Sequence, residues 1–182
     1  MAEGAYQIKN QAEIHFMTFT IMGWMDIFSR QVYRDKAIES LNFCRRNKGL
    51  LIHAYVIMTN HIHAILSARQ SNLSDVIRDF KTLASKEILQ TIETETESRR
   101  EWLLYMFRYF GEKQVRNNTY QVWMQENHAE ELLTNRSIDQ KLNYIHENPV
   151  RAGIVEEPEH YVYSSARDYA GEKGLLPLSL LK

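Results

Sequence analysis

Residues 50–66 read Leu50-Leu-Ile-His-Ala-Tyr-Val-Ile-Met58, then Thr59-Asn60, then His61-Ile-His-Ala-Ile-Leu66. Two short apolar runs parted by two polar residues predict a β-hairpin. Thr59-Asn60 is not among the strongest turn pairs, so the turn type stays open. Leu50–Met58 is the most apolar stretch, and it is far shorter than the ~20 residues a membrane-spanning helix needs.

Upstream, Asp35–Asn47 carries Ala37, Ile38, Leu41 and Cys44 at helical spacing, with Gly49 as a stop signal. Ile14–Met22, rich in Phe, Thr and Ile, predicts a strand. Downstream, Leu73–Ile92 predicts a long helix with Val76, Phe80, Leu83 and Ile88 on its apolar side. Glu93–Ser98 reads as a loop, and Trp102–Phe110 as an aromatic helix. Gly111–Thr119 is polar and basic, and Tyr120–Met124 reads as a short strand. Ser137 and Gln140 have capping-box spacing and open a further helix, cored by Ile138, Leu142 and Ile145. Pro149 is expected to end it.

The order is strand, helix, hairpin, helix, helix, short strand, helix. It predicts an α+β sandwich, an antiparallel sheet covered by helices in a ferredoxin-like split arrangement. A single domain over 1–182 is expected, with a core of about 14–155 and a C-terminal extension, 156–182. The Leu-rich tail (Leu175, Leu176, Leu178, Leu180, Leu181) is expected to pack on its own core rather than on a partner.

Composition narrows the function. Lys and Arg number 22 against 23 Asp and Glu, so the net charge is −1. That disfavours binding of duplex DNA through bulk positive charge, but a local basic patch remains open. Cys44 is the only cysteine, which excludes an internal disulfide and a cysteine zinc cluster. The first residues are polar and carry Glu3, unlike a signal peptide. A cytoplasmic protein without membrane contact is the expectation.

His61-Ile62-His63 is the sharpest local feature. Residues two apart on a strand share a face. His61 and His63 therefore point one way with Ile65, while Ile62, Ala64 and Leu66 form the opposite, core-like set. Two imidazoles side by side are a usable pair of metal ligands. Taken alone, they are as readily two unrelated histidines. On the later helix, Tyr144 and Asn148 lie four apart and share a face, with Lys141 beside them. A tyrosine at a helix edge usually serves packing, so this too says little alone.

The two features explain each other if they meet. Tyrosine has a reference pKa near ~10 and is mostly protonated at neutral pH. A divalent cation can polarise a phosphodiester and orient it for in-line attack. Two His nitrogens and one Asn oxygen would leave coordination positions open for phosphate and water. Mg²⁺ or Mn²⁺ suits that chemistry, and zinc is the main competitor.

At these residues the chain resembles a known family. Tyr55-Val-Ile-Met-Thr-Asn-His-Ile-His-Ala-Ile-Leu66 is similar to the histidine–hydrophobe–histidine motif of the HUH single-tyrosine transposases. Tyr144-Ile-His-Glu-Asn-Pro-Val-Arg-Ala-Gly-Ile-Val155 resembles the tyrosine helix and its exit in the REP-associated (IS200-like) branch. Trp123–Leu133 and Pro158–Tyr169 also resemble that branch. Members commonly carry Pro where this chain has Thr59, a difference for the turn more than for the chemistry.

The resemblance implies a ferredoxin-like core with the histidine pair on a strand. It implies Tyr144 as nucleophile on single-stranded DNA, a covalent 5′-phosphotyrosine and a free 3′-hydroxyl that can reverse the reaction. His61 and His63 map onto the metal pair, and Asn148 onto the third ligand position. The implied partner is an imperfect palindrome folded as a hairpin. A homodimer sharing tyrosine helices and a monomer both remain open.

Candidate DNA contacts are Arg45, Arg46 and Lys48, then Lys81 and Lys86 on the long helix. Arg99, Arg100, Arg108, Lys113 and Arg116 interleave with Trp102, Tyr105, Tyr109 and Phe110, and Lys141 completes the set. Cations could track phosphates while aromatics stack on unpaired bases. The aromatics are instead expected to be core. The basic residues divide evenly between phosphate contacts and a solvated face. Glu126 and His128 read as structural, and His53 and His146 as supporting or surface groups. Two other classes stay in view. A domesticated hairpin-binding protein that does not cut is disfavoured by the complete His, Tyr and Asn set. A structural metal protein or unrelated hydrolase is disfavoured because His₂Asn makes a poor closed zinc site.

Overall fold

A computed structural model describes residues 8–113 and 119–181. Four strands form one sheet: β1 (His15–Thr20), β2 (Leu50–Ile57), β3 (His61–Ala68) and β4 (Glu130–Glu131), in the order β2-β3-β1-β4. All neighbours are antiparallel. β1 and β2 thus run parallel with β3 between them, joined by helix α1 (Gln31–Asn47). Helices α2 (Leu73–Thr94) and α3 (Arg100–Glu112) connect β3 to β4 across β1 in the same way. These two split crossovers are the expected ferredoxin-like sandwich.

The period-2 pattern of β1 and β3 sorts two cores. Met17, Phe19 and Ile21 join Ile62, Ala64 and Leu66 under α1 and α2. Phe16 and Ile65 face the other way, with Val56, beneath helix α4 (Asn135–Arg151) and its Ile145. Phe19, Phe80 and Trp123 close the first core as three rings with centroids 5.3, 5.9 and 6.4 Å apart. The stop signal after α1 acts as read: Gly49 follows the C-cap Lys48 with φ of 74°. Met58 N–H donates to the His61 carbonyl at 2.8 Å and closes the hairpin.

The expected strand over Tyr120–Met124 is not one. Trp123 makes only an isolated bridge to Ile21, and the fourth strand is Glu130–Glu131. The segment does follow the open edge of β1. Met22 N–H donates to Val122 O, Met124 N–H to Thr20 O, and Thr18 N–H to Asn127 O. His128, with φ of 41°, breaks the alternation before regular pairing resumes.

Helix α4 also departs from expectation. It is capped one turn earlier than Ser137: Thr134 accepts from Ser137 N–H, and the Ser137 hydroxyl lies 3.2 Å from Thr134 N. Ser137 is thus the third helical residue of the box. Pro149 lies inside the helix rather than ending it. It falls in the last turn, where losing its N–H removes a single bond and its ring is buried.

The tail packs on its own chain. Leu176 is 2% exposed in the first core, and Ser179 N–H donates to Ile52 O at the outer edge of β2. The same edge takes Tyr163 O, which accepts from Ile57 N–H, and Ser165 N–H, which donates to Tyr55 O. No described helix is long and apolar enough to cross a membrane.

Candidate active site

His61 and His63 open β3, which lies between β1 and β2. In register, His63 stands opposite Thr18 on one side and Val56 on the other. The two imidazoles lie together on the α4 face, ring centroids 4.5 Å apart. Nδ1 of His63 is 2.8 Å from the Thr18 hydroxyl, and Nδ1 of His61 is 2.7 Å from Asn60 Oδ1.

Helix α4 brings the tyrosine. Ile138, Leu142 and Ile145 pack on the second core, which turns the adjacent Tyr144 to the rim at 37% exposure. Its ring packs edge-on against Phe16 (5.9 Å) and His63 (5.1 Å). Its hydroxyl is 3.4 Å from Nε2 of His63, long for a hydrogen bond but within reach of one. Residues 81 positions apart in sequence therefore meet as expected. Asn148, half-buried, follows one turn along the same helix. Its side chain makes no hydrogen bond to the described residues, whereas its carbonyl accepts from Ala152 N–H.

Burial pushes the His63 imidazole down to about 3, helped by neighbouring His61 and Lys141. Burial lowers His61 as well. Both rings are therefore neutral at physiological pH, the form in which imidazole binds a metal. Among the described residues no three His, Cys, Asp or Glu side chains cluster as a metal site.

Most of the predicted DNA-contact residues have partners within the chain, several of them at the surface. Lys81 Nζ holds Met124 O at 2.7 Å and Asn127 Oδ1 at 2.8 Å, and burial pulls it down to about 8. It fastens the segment along β1 rather than standing in solvent. Arg100 donates to Ile92 O and Glu95 O at the end of α2. Arg99 pairs with Asp26 at 2.7 Å, and Lys48 with Asp79 at 3.0 Å. Lys141 pairs with Glu130 at 2.6 Å and lies 4.5 Å over the Phe16 ring, next to the site. Arg108 bonds Tyr120, and Lys113 bonds Tyr109. Arg45 is held by Asn42, while Arg46 lines a shallow surface depression with Phe43. Lys86 is exposed. Arg116 lies outside the described residues.

The supporting groups sort as follows. His53 and His146, read as supporting or surface groups, are buried, 6% and 9% exposed. Trp102, Tyr105 and Tyr109 are not core but 47%, 64% and 38% exposed. Thr18 and Asn60, which orient the two histidines, were not singled out in the sequence. The signal for Thr18 is its register against His63, which a single strand does not display.

The family model described as "Transposase IS200 like" matches residues 9–125, more than half of the chain. That span contains both histidines and ends before α4, so the placement of Tyr144 rests on its contact with His63. No curated protein matches. Among solved structures, a REP-associated tyrosine transposase bound to a REP hairpin is similar with a TM-score of 0.58 and 16% identity. The match covers 97% of this chain and 88% of that one. A transposase candidate from Deinococcus radiodurans R1 aligns with a TM-score of 0.45 and 15% identity, over 81% of this chain and 97% of its own. The first of these shares the fold.

Proposed function

The chain belongs to the IS200-like transposase family, and from that premise we propose that it cleaves and rejoins single-stranded DNA at hairpin sequences through Tyr144. The observation that carries this reading is the Tyr144 hydroxyl 3.4 Å from Nε2 of His63, at the rim of a paired-histidine site. The solved relative bound to a REP hairpin supports a folded palindrome as the substrate class.

In this reading Tyr144 Oη forms a bond to phosphorus as the bond from phosphorus to O3′ breaks. The tyrosyl proton ends, in balance, on the departing 3′-hydroxyl. A 3′-hydroxyl attacking the phosphotyrosine reverses the step and joins strands. The packing of Tyr144 against Phe16 and His63 restricts the phenol to a narrow arc before substrate arrives, which lowers the ordering cost of attack.

His61, His63 and the Asn148 amide are the donors that would hold a divalent cation such as Mg²⁺ or Mn²⁺, with positions left for phosphate and water. When bound, such an ion supplies positive charge to the phosphate. His63 serves better as a ligand than as a base. A base works best with its pKa near the working pH, and His63 lies far below it. The Thr18 hydroxyl at Nδ1 fixes the ring so that Nε2 faces Tyr144.

The test incubates the protein with end-labelled hairpin oligonucleotides copied from palindromes flanking its gene, with Mg²⁺, Mn²⁺ or chelator. A metal-dependent protein–DNA adduct on a denaturing gel, lost in Tyr144→Phe, is expected. An adduct that survives Tyr144→Phe removes the assigned nucleophile. Hairpin binding without any adduct points to a binding protein instead.

A further inference from the structure

The exposed aromatics of α3 do not end at the helix. Tyr105 and Tyr109 stack with centroids 6.3 Å apart, and Tyr109 meets Phe110 edge-on at 5.4 Å. Phe110 backs onto Gly23, where an added Cβ would stand 3.0 Å from the ring. The next residue, Trp24, is 61% exposed and has φ of 56°. Bulky side chains rarely adopt that left-handed region, and such strain persists where the surroundings enforce it.

The enforcement is visible. Ile21 N–H donates to Asn60 O, and Phe28 N–H donates to Thr59 O, so the loop bearing Trp24 is tied to the β2–β3 turn. Asn60 Nδ2 donates to Trp24 O at 3.2 Å, while Asn60 Oδ1 meets His61 Nδ1 at 2.7 Å. One side chain thus fastens both the strained tryptophan and the first histidine of the site.

Packing does not account for these rings. The buried face of α3 is Leu103, Phe107 and Gly111, and the aromatics stand off it. Cations accompany them: Lys113 Nζ lies 4.1 Å over the Tyr109 ring, and the Arg108 guanidinium 5.5 Å over Tyr120. Exposed rings interleaved with cations suit unpaired nucleotides, whose bases stack while their phosphates seek positive charge. A protein partner would instead favour a patch depleted of charge at its centre.

We propose that Trp24, Tyr105 and Tyr109 form a stacking track for the unpaired nucleotides adjoining the hairpin, leading the strand past Asn60 to the histidine pair. This rests on the reading above that the chain handles single-stranded DNA.

The test compares a flanking-palindrome hairpin carrying a twelve-nucleotide single-stranded tail with the same hairpin made blunt, by fluorescence anisotropy at 0.1 and 0.3 M NaCl. The tail should tighten binding of the full chain at least tenfold, given the worth of one stacked base. Trp24→Ala with Tyr105→Ala and Tyr109→Ala should remove most of that gain, and Tyr105→Phe with Tyr109→Phe should keep it. A tail gain that is absent, or that survives the triple alanine variant, overturns the track. So does a triple variant whose change is loss of a dimer by sedimentation with tail binding intact. The adduct assay reads the catalytic proposal separately. Tail binding by this track without any adduct leaves the track standing and removes the chemistry.

Discussion

Thr18 and His63 face one another across β1 and β3, hydroxyl oxygen to Nδ1 at 2.8 Å. The bond sets which ring nitrogen is turned toward Tyr144. On the proposed metal role of His63, a group that orients the ligating imidazole typically matters ~10–100-fold for affinity. Thr18→Val keeps the shape and β-branching of the side chain but removes the hydroxyl. It should weaken Mn²⁺ binding by about that factor with little loss of fold, read by paramagnetic resonance of free Mn²⁺. Affinity within twofold of the parent protein would show that Thr18 has no such role.

The same titration tests the histidine pair. His61→Ala should abolish stoichiometric Mn²⁺ binding while the circular dichroism spectrum stays unchanged. His61 stands at the start of β3 and is half-buried, so the sheet survives its truncation. Retained stoichiometric binding would move the metal elsewhere.

Helix α4 is held to the sheet by a buried polar junction two residues beyond Tyr144. His146 Nε2 is 2.9 Å from Ser165 Oγ, which also accepts from Tyr55 N–H at 2.9 Å. Ser165→Ala strands two buried polar groups, each costing ~1–3 kcal/mol. Urea denaturation should show a loss of about 2–6 kcal/mol on that basis. A loss under about 0.5 kcal/mol, the usual range for innocuous substitutions, would mean the junction is not a stabilising one.

The N-terminus of α4 has its own lock in Thr134. Thr134→Ala should cost about 1 kcal/mol, the usual value of a lost cap, and Thr134→Ser should restore most of it. Equal stabilities for the alanine and serine variants would contradict the cap.

Buried neutral histidines also predict acid sensitivity. Burial brings His146 down to about 4 and lowers His53. The unfolded chain takes up these protons near ~6.5, before the folded chain does. Their contribution to stability is therefore complete above about 6.5 and is lost as pH falls below it, for His146 down to about 4, each group adding up to ~1.4 kcal/mol per pH unit. Denaturation midpoints should decline between pH 6.5 and 5, where ordinary carboxylates are still ionised. His53→Gln with His146→Gln should flatten the slope even though the variant is less stable overall. An identical slope would assign the decline to other groups.

The parts of this molecule legible in sequence were those fixed by local period. Alternation in His61–Leu66 placed the histidines on one face, and spacing on α4 set Tyr144 and Asn148 together. The rest depends on partners distant in sequence. On α3 the aromatics were expected to be core, but the protein buries Leu103, Phe107 and Gly111 instead, because that is the face α3 turns to the core. Lys81 looked like a phosphate contact only because the carbonyls it binds are more than forty residues away. β4 was misplaced because pairing along β1 is interrupted at His128, leaving two regular residues where a longer strand was expected.

The coverage of the sheet margins carries a last consequence. Residues 122–131 occupy the flank of β1, while 163–165 and Ser179 occupy that of β2. Among the described residues, the chain's own backbone already takes up part of the outer edge of β2 and of the flank of β1. A strand-swapped or fibrillar form would first have to peel away the tail that carries Ser179. Truncation that removes Ser179 is expected to uncover Ile52 O on that edge, a group another strand can use.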